Sequence, residues 1–330
     1  MRQTREFANP PVVLGYATIA GPKEGEGPLA AYFDKVINNL YYYEDTWEKA
    51  EQKMFLEVAE MALQKASVKK EEVDFFLAGD LLNQIISANF AAKSLGIPFF
   101  GLYNACATFY EGLILGAMLI AGGFAKKVLV GVSSHYATVE RQYRNPTEQG
   151  VQKTPTSQWT VTGAAAVVLG DGEGKIKIPR VTVGKALDYD MFDPSDMGGA
   201  MVPAAFDTLL VHFKETGLVY DYYDLMLTGD LARFGQQILV KLLQENNINF
   251  GQRLNDCGIM IYRPEQQVNA GGSGTACSAL VTAGYVFNEL SQGKIHKFLG
   301  IGTGALLSQV TTQQGMAIPV IAHAVAFESY

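Results

Sequence analysis

A duplication constrains this chain more than any other feature of its sequence. Val12-Val13-Leu14-Gly15 returns as Val181-Thr182-Val183-Gly184, and Lys127-Val128-Leu129-Val130 returns as Lys297-Phe298-Leu299-Gly300. Between them, Asp74-Phe75-Phe76-Leu77-Ala78-Gly79-Asp80 returns as Asp224-Leu225-Met226-Leu227-Thr228-Gly229-Asp230. Self-similarity at a long, nearly constant period marks a fold assembled from like units, here two halves at 1–172 and 173–330. The spacing drifts because the first half carries a longer insertion near Leu29 to Trp47 and the second a longer one before Gly271.

Within each half, short apolar runs of strand type alternate with segments of helical period, the pattern of α/β layers. The first half predicts strands near Val12–Ala17, Val73–Ala78, Phe99–Asn104, Lys127–Ser133 and Val161–Leu169. Its helices fall at Trp47–Lys65, Gln84–Leu95 and Cys106–Ala121. The second half predicts strands near Ile178–Leu187, Leu225–Thr228, Cys257–Tyr262, Lys297–Gly302 and Pro319–Phe327. Helices follow near Ala204–Thr216, Leu231–Asn246 and Thr275–Leu290. Two βαβαβαββ halves imply two central sheets that share helices, an α-β-α-β-α sandwich of five layers.

Composition agrees with a packed fold: 48% of the 330 residues are hydrophobic and 18% charged, which excludes a disordered or fibrous chain. The net charge of −7 argues against generic nucleic-acid binding, which needs an excess of Lys and Arg. Three cysteines cannot build a disulfide framework and point to a reducing, intracellular setting. The opening stretch MRQTREFANPPVV has no apolar run of signal-peptide type. The most apolar segment, Gly112 to Phe124, is too short to span a bilayer.

Chemistry is most concentrated around Cys106, in Leu102-Tyr103-Asn104-Ala105-Cys106-Ala107-Thr108-Phe109. A thiol where a buried strand enters a helix faces the positive end of the helix dipole, and this predicts a lowered pKa and a nucleophilic thiolate. The competing reading is a small buried hydrophobe, the role of most free cysteines. Gly300-Ile301-Gly302-Thr303-Gly304 and Gly272-Ser273-Gly274-Thr275-Ala276-Cys277-Ser278 are turns where glycine permits close backbone approach and leaves N–H donors for an anion. Tight packing at a sheet crossover would select glycine equally well.

The Asn-Ala-Cys turn, the Gly-x-Gly run and the duplicated halves together resemble the thiolase-fold condensing enzymes, especially the third type of ketoacyl-ACP synthase. That resemblance implies a C-terminal Gly-x-Gly backbone that helps form an oxyanion hole. It also implies a His and an Asn or His beside the thiol. Where the His turn is expected this chain reads Thr228-Gly229-Asp230-Leu231, and where the Asn is expected it has Ser273. The four histidines, His135, His212, His296 and His323, lie in neither loop. Groups of this kind act as a unit, so the scaffold is expected to have lost its condensing chemistry and not to be an enzyme.

The run from Val130 to Glu148, with Ser133-Ser134-His135-Tyr136 and Arg141-Gln142-Tyr143-Arg144, and the later Gln158-Trp159-Thr160-Val161-Thr162-Gly163, resemble the stage V sporulation protein AD family. The resemblance implies a non-enzymatic binder of dipicolinic acid, pyridine-2,6-dicarboxylate, as free acid or calcium chelate. It implies a role in uptake of the acid into the developing spore and in its release at germination. It further implies membrane-protein partners of the same stage V system, a peripheral place on the spore inner membrane and a homodimer. No cofactor is expected.

A flat aromatic dianion requires cationic or N–H donors for its carboxylates and an apolar or aromatic surface for its ring. The expected ligand contacts are Cys106, His135, Arg141, Trp159, Thr228, Ser273, Gly302 and Thr303, with Arg144 on the surface. For His135, Arg141 and Trp159 the competing roles are a satisfied structural histidine, a solvated surface arginine and a core anchor. Asp80 and Asp230, which are repeat-related, are expected to cap the helices that follow them and not to hold calcium. Two other functions remain open at this point: a Cys106-dependent β-ketoacyl synthase or acyltransferase, and a structural subunit of a membrane complex.

Overall fold

The computed structural model describes residues 2–143 and 153–329. Ten strands carry the architecture. In the first half they are β1 (Val12–Ala20), β2 (Phe75–Gly79), β3 (Phe99–Gly101), β4 (Lys127–Ser134) and β5 (Gly163–Gly170). In the second they are β6 (Ile176–Thr182), β7 (Leu225–Thr228), β8 (Leu254–Asp256), β9 (Lys297–Ala305) and β10 (Val320–Ser329). Each half arranges its strands alike, β3-β2-β4-β5-β1 and β8-β7-β9-β10-β6. In each the fifth strand runs antiparallel to its neighbours while the second pairs in parallel with the third and fourth. The sequence repeat is thus a repeat of topology. The two sets join where β1 pairs β6 through Val12 with Lys177 and Val13 with Ile176.

Burial on both faces explains the run-like apolar strands. Every residue of β5, GAAAVVLG, is buried. The outer layer over the first sheet holds α1 (Trp47–Lys65) and α2 (Ile86–Leu95). The Thr46 side chain accepts from Lys49 N–H at the start of α1, the usual device for an otherwise unpartnered helix donor. Its Met54, Phe55, Val58, Ala59 and Ala62 pack with Phe76 and Leu129 of the sheet. After β4 comes α4 (Tyr136–Tyr143). The outer layer of the second half holds α5 (Met197–Thr216) and α6 (Ala232–Glu245).

The central layer is shared. It consists of α3 (Thr108–Ala121) and α7, a composite of Thr275–Leu280, a π-helical segment Val281–Val286 and Phe287–Ser291. Phe109, Tyr110 and Leu113 of α3 join Ala279, Val286 and Phe287 of α7 in one cluster with side chains of both sheets. Tyr110 seals this layer: its hydroxyl lies 2.8 Å from that of Thr282, and its ring covers Gly300 and Gly302 of β9. A Cβ at Gly302 would fall 2.6 Å from the ring, so this glycine serves the packing of α3 on the second sheet.

Several boundaries move for physical reasons. The run Cys257–Tyr262 is not a strand; the strand is Leu254–Asp256, and Cys257–Met260 turns into a short helix whose Ile259 N–H is capped by the Asp256 carboxylate. Short buried apolar runs read alike in either state. α5 begins at Met197, capped by Asp196, although Gly198, Gly199 and Pro203 lie within it. The segment after Ser134, for which the sequence predicts no element, is α4. Replacing Gly302 by Val should overpack the Tyr110 contact and cost roughly 1–3 kcal/mol, read as a fall in the urea midpoint. An unchanged midpoint would refute the packing role.

Candidate functional site

The ends of strands from both halves and the start of α3 converge on Cys106. The chain enters α3 through a 3₁₀ turn, Ala105–Ala107, with Ala105 at φ 48°. A non-glycine residue in this left-handed region carries a strain of order 1–2 kcal/mol. The turn is pinned by Thr108, whose Oγ1 donates to Ala105 O (2.7 Å) and accepts from Asn104 N–H (3.1 Å). Opposite, the short strand Gly272–Ser273 pairs with Trp159–Thr160 and presents the Ser273 hydroxyl 4.0 Å from Cys106 Sγ. Gly274, at φ 107°, then turns the chain into α7.

Asp230 lies beneath these groups and is fully buried. Its Oδ1 accepts from Thr303 Oγ1 (2.7 Å), and its Oδ2 accepts from Ser273 Oγ (3.0 Å) and Gly274 N–H (3.2 Å). The Asp230 N–H in turn donates to Thr303 Oγ1 (3.1 Å). Burial raises the carboxyl pKa, partly offset by hydrogen bonds from Cys106, Thr303, Gly274 and Ser273. The consequence for Cys106 reverses the expectation from its helix-start position. Although the residue keeps some surface, desolvation of its sulfur, followed by the charge and hydrogen bond of Asp230, pushes the thiol well above its ordinary value. Cys106 is a thiol at neutral pH.

Asp230 does not cap the helix that follows. Asp256 does so from the adjacent strand, accepting from Leu231 N–H (2.8 Å), Ala232 N–H (3.0 Å) and Thr228 Oγ1 (2.7 Å). Burial, then the charge of Asp230, raises Asp256 to about 7. Asp80, the partner of Asp230 in the repeat, caps as expected, accepting from Leu82 and Ala88 N–H at 2.8 Å each. Asp230 is therefore released from capping to bind the loops around the thiol.

Above Cys106 and Ser273 opens a cavity of about 850 Å³, with Tyr103, Tyr136, Tyr143 and Lys153 among its polar walls and Leu306, Leu307 and Val310 among its apolar ones. Tyr136 is backed by Trp159, the rings stacked at 4.0 Å and 9°. Lys153 Nζ lies 3.2 Å from the Tyr136 hydroxyl, 2.8 Å from Glu140 Oε1 and 4.8 Å from the centre of the Tyr136 ring. The Tyr103 and Tyr143 hydroxyls meet at 2.8 Å, and Tyr143 donates to Leu81 O (2.6 Å).

Of the expected contacts, Cys106 and Ser273 line the cavity, Thr303 reaches them through Asp230, and Trp159 stands behind Tyr136. Thr228 is held by Asp256, and Gly302 by Tyr110. His135 is buried away from the cavity lining; its Nε2 lies 2.8 Å from Leu40 O, and its Nδ1 accepts from Ala137 N–H. Burial lowers its pKa to about 4, so it offers no positive charge at neutral pH. Arg141 lies over the Trp47 ring at 4.8 Å and pairs with Glu48 at 3.0 Å. Arg144 lies outside the described residues. His323 reaches the thiol turn only through Asn104, whose amide is 2.9 Å from its Nε2; Gly184 N–H donates to its Nδ1, and burial lowers it to about 4. Tyr136 and Lys153 were missed. Tyr136 could have been found as the residue beside His135 facing the other way, whereas Lys153 has no sequence signal beyond its charge. Among the described residues no group of three or more His, Cys, Asp or Glu side chains is placed to hold a metal ion.

The paired sheets, shared central helices and Cys106 at the start of one of them define a thiolase-fold protein. Solved structures of Xanthomonas campestris OleA share this fold: one variant superposes with a TM-score of 0.64 at 14% identity over 98% of this chain and 99% of its own. The cerulenin-bound form gives 0.63 at 15% identity over 97% and 98%. Residues 1–328 match the profile of the stage V sporulation protein AD (SpoVAD) family. Stage V sporulation protein AD of Bacillus subtilis (strain 168) is 47% identical over 327 residues, 99% of this chain and 97% of that protein. The chain belongs to the stage V sporulation protein AD family.

The raised thiol has a direct test in iodoacetamide kinetics. Cys106 should alkylate more slowly than a free cysteine at neutral pH, with a rate still climbing above pH 9 as thiolate forms. Asp230→Asn removes the opposing charge and should raise the neutral-pH rate several-fold. A plateau below pH 8 would contradict the assignment.

Proposed function

We propose that this protein binds dipicolinic acid, as free acid or calcium chelate, in the Cys106 cavity and supports its uptake into the developing spore and its release in germination. The observation that carries this reading is the pairing of an aromatic wall, Tyr136 on Trp159, with the Lys153 ammonium beside it. A flat ring with two carboxylates needs those two features together. The Cys106 thiol, the Ser273 hydroxyl and the Tyr103 hydroxyl add uncharged polar contacts on the same walls.

The same site supports a binding role without catalysis. Acyl transfer at a cysteine requires a thiolate and a base or electrophile that polarises the acyl carbonyl. Here the carboxylate next to the thiol opposes its ionisation, and the side chain facing it is a serine. No helix among the described residues is long and apolar enough to cross a membrane. We place the protein peripherally on the spore inner membrane, working with membrane proteins of the same stage V system and as a homodimer.

Calorimetric titration with dipicolinate tests this. Lys153→Ala and Tyr136→Leu should each weaken binding about tenfold or more, the scale of one lost charge-assisted or stacking contact. Arg141→Ala, at the Trp47 surface, should titrate like the wild type. Wild-type affinity in both cavity variants, or ketoacyl product from acetyl-CoA and malonyl thioesters that Cys106→Ala abolishes, would refute the reading.

A further inference from the structure

The connection between β9 and β10 lies along the cavity: residues 305–310, with Thr312 and Gln313, are among its walls. Its ends are anchored. Ala305 and Val320 form the last pair of the two strands, Leu306 N–H donates to Pro319 O and Ile318 N–H to Met191 O, each at 2.8 Å, and Leu307 packs on the apolar core of the second half. Between these anchors no residue from 308 to 317 is buried. The backbone bonds there are local, from Thr312 N–H to Ser308 O, Gln314 N–H to Val310 O and Met316 N–H to Thr311 O, and Gly315, at φ 72°, turns the chain back. A segment tied at its ends, with only internal bonds and no buried side chain between them, opens without disturbing the strands beside it.

The same segment carries donors that the site needs. On its short helix Gln309–Gln313, Gln309, Thr312 and Gln313 stand at i, i+3 and i+4, one side of a helix, and all three line the cavity. A dicarboxylate requires donors at both carboxylates, and Lys153 is the one cationic side chain among the described walls. Elsewhere in the walls the polar hydrogens are largely committed. Ser273 donates to Asp230 (3.0 Å) and Tyr143 to Leu81 O (2.6 Å), which leaves the Tyr103 hydroxyl to donate to Tyr143. Gln142 donates to Leu81 O as well (3.2 Å). The side-chain amides left uncommitted among the described walls are Asn83, Gln309 and Gln313.

We infer that residues 308–317 are a lid on the Cys106 cavity, and that on closing the Gln309 and Gln313 amides donate to the ligand carboxylate that Lys153 does not hold. The inference rests on the proposed dipicolinate site and assigns, within it, the residues that distinguish two carboxylates from one. Amide donors to a carboxylate make charge-assisted hydrogen bonds and add no charge to the open cavity, so the lid orders as the ligand seats.

Calorimetric titration with dipicolinate and with pyridine-2-carboxylate, the same ring with one carboxylate, tests this together with hydrogen exchange on the full chain. The wild type should bind dipicolinate about tenfold or more tightly than pyridine-2-carboxylate, and saturating dipicolinate should slow amide exchange in residues 308–316. Gln309→Ala with Gln313→Ala should weaken dipicolinate about tenfold and leave pyridine-2-carboxylate unchanged. Gln309→Glu with Gln313→Glu should weaken dipicolinate further, by repulsion of like charge. Both positions are exposed, and retained pyridine-2-carboxylate binding reports an intact cavity. Wild-type discrimination in the alanine variant, its loss in Asn83→Ala instead, or unchanged exchange in residues 308–316 would overturn the lid while Lys153-dependent binding of dipicolinate stands. A wild type that does not bind dipicolinate would overturn the proposed site and this inference with it.

Discussion

The buried carboxyl of Asp230 is the constraint on which the site depends. It sits at the end of β7 and draws together Thr303 from β9, the Ser273–Gly274 turn before α7, and the thiol at the start of α3. Taking a carboxyl out of water costs several kcal/mol unless its lone pairs are satisfied. Here the donors come from segments far apart in sequence, so satisfying the group and assembling the cavity floor are the same event. That event also fixes the chemistry. Burial first, and then the Asp230 carboxylate that organises the loops, pushes the Cys106 thiol up, against the thiolate that nucleophilic catalysis at this position would use.

Duplication made this arrangement accessible. Asp80 and Asp230 occupy equivalent ends of equivalent strands, yet Asp80 caps its helix while Asp256 caps the helix that Asp230 precedes. Because Asp256 on a neighbouring strand supplies the cap in the second half, Asp230 is free of that role and turns towards the thiol. Asp256 is itself raised to about 7, by its burial and then by the charge of Asp230.

Much of the fold was legible because it rests on local pattern. Trp47–Lys65 and Leu225–Thr228 begin and end where periodicity and turn residues place them, and the repeat prefigures the matching strand orders. What was illegible depends on contacts between distant segments. Cys106 reads as an activated thiol when only its helix is considered, and Asp230, 124 positions away in the numbering, reverses that. For His135 and Arg141 the sequence leaves ligand contact open beside a structural and a surface role, and it is the Leu40 carbonyl and Glu48 with Trp47 that hold them away from the cavity. Tyr136, the first residue of α4, lines the cavity while His135 just before it is buried elsewhere, a difference set by the packing of the helix and not by local pattern.

The central claim is that a flat dicarboxylate lies against Tyr136 with one carboxylate at Lys153, above a thiol that takes no part in covalent chemistry. A crystal soaked with dipicolinate tests this most directly. The account predicts ring density in packing contact with Tyr136, a carboxylate within hydrogen-bond distance of Lys153 Nζ, and an unmodified Cys106 below. Density for the ligand at another surface, or a covalent adduct on Cys106, would contradict it.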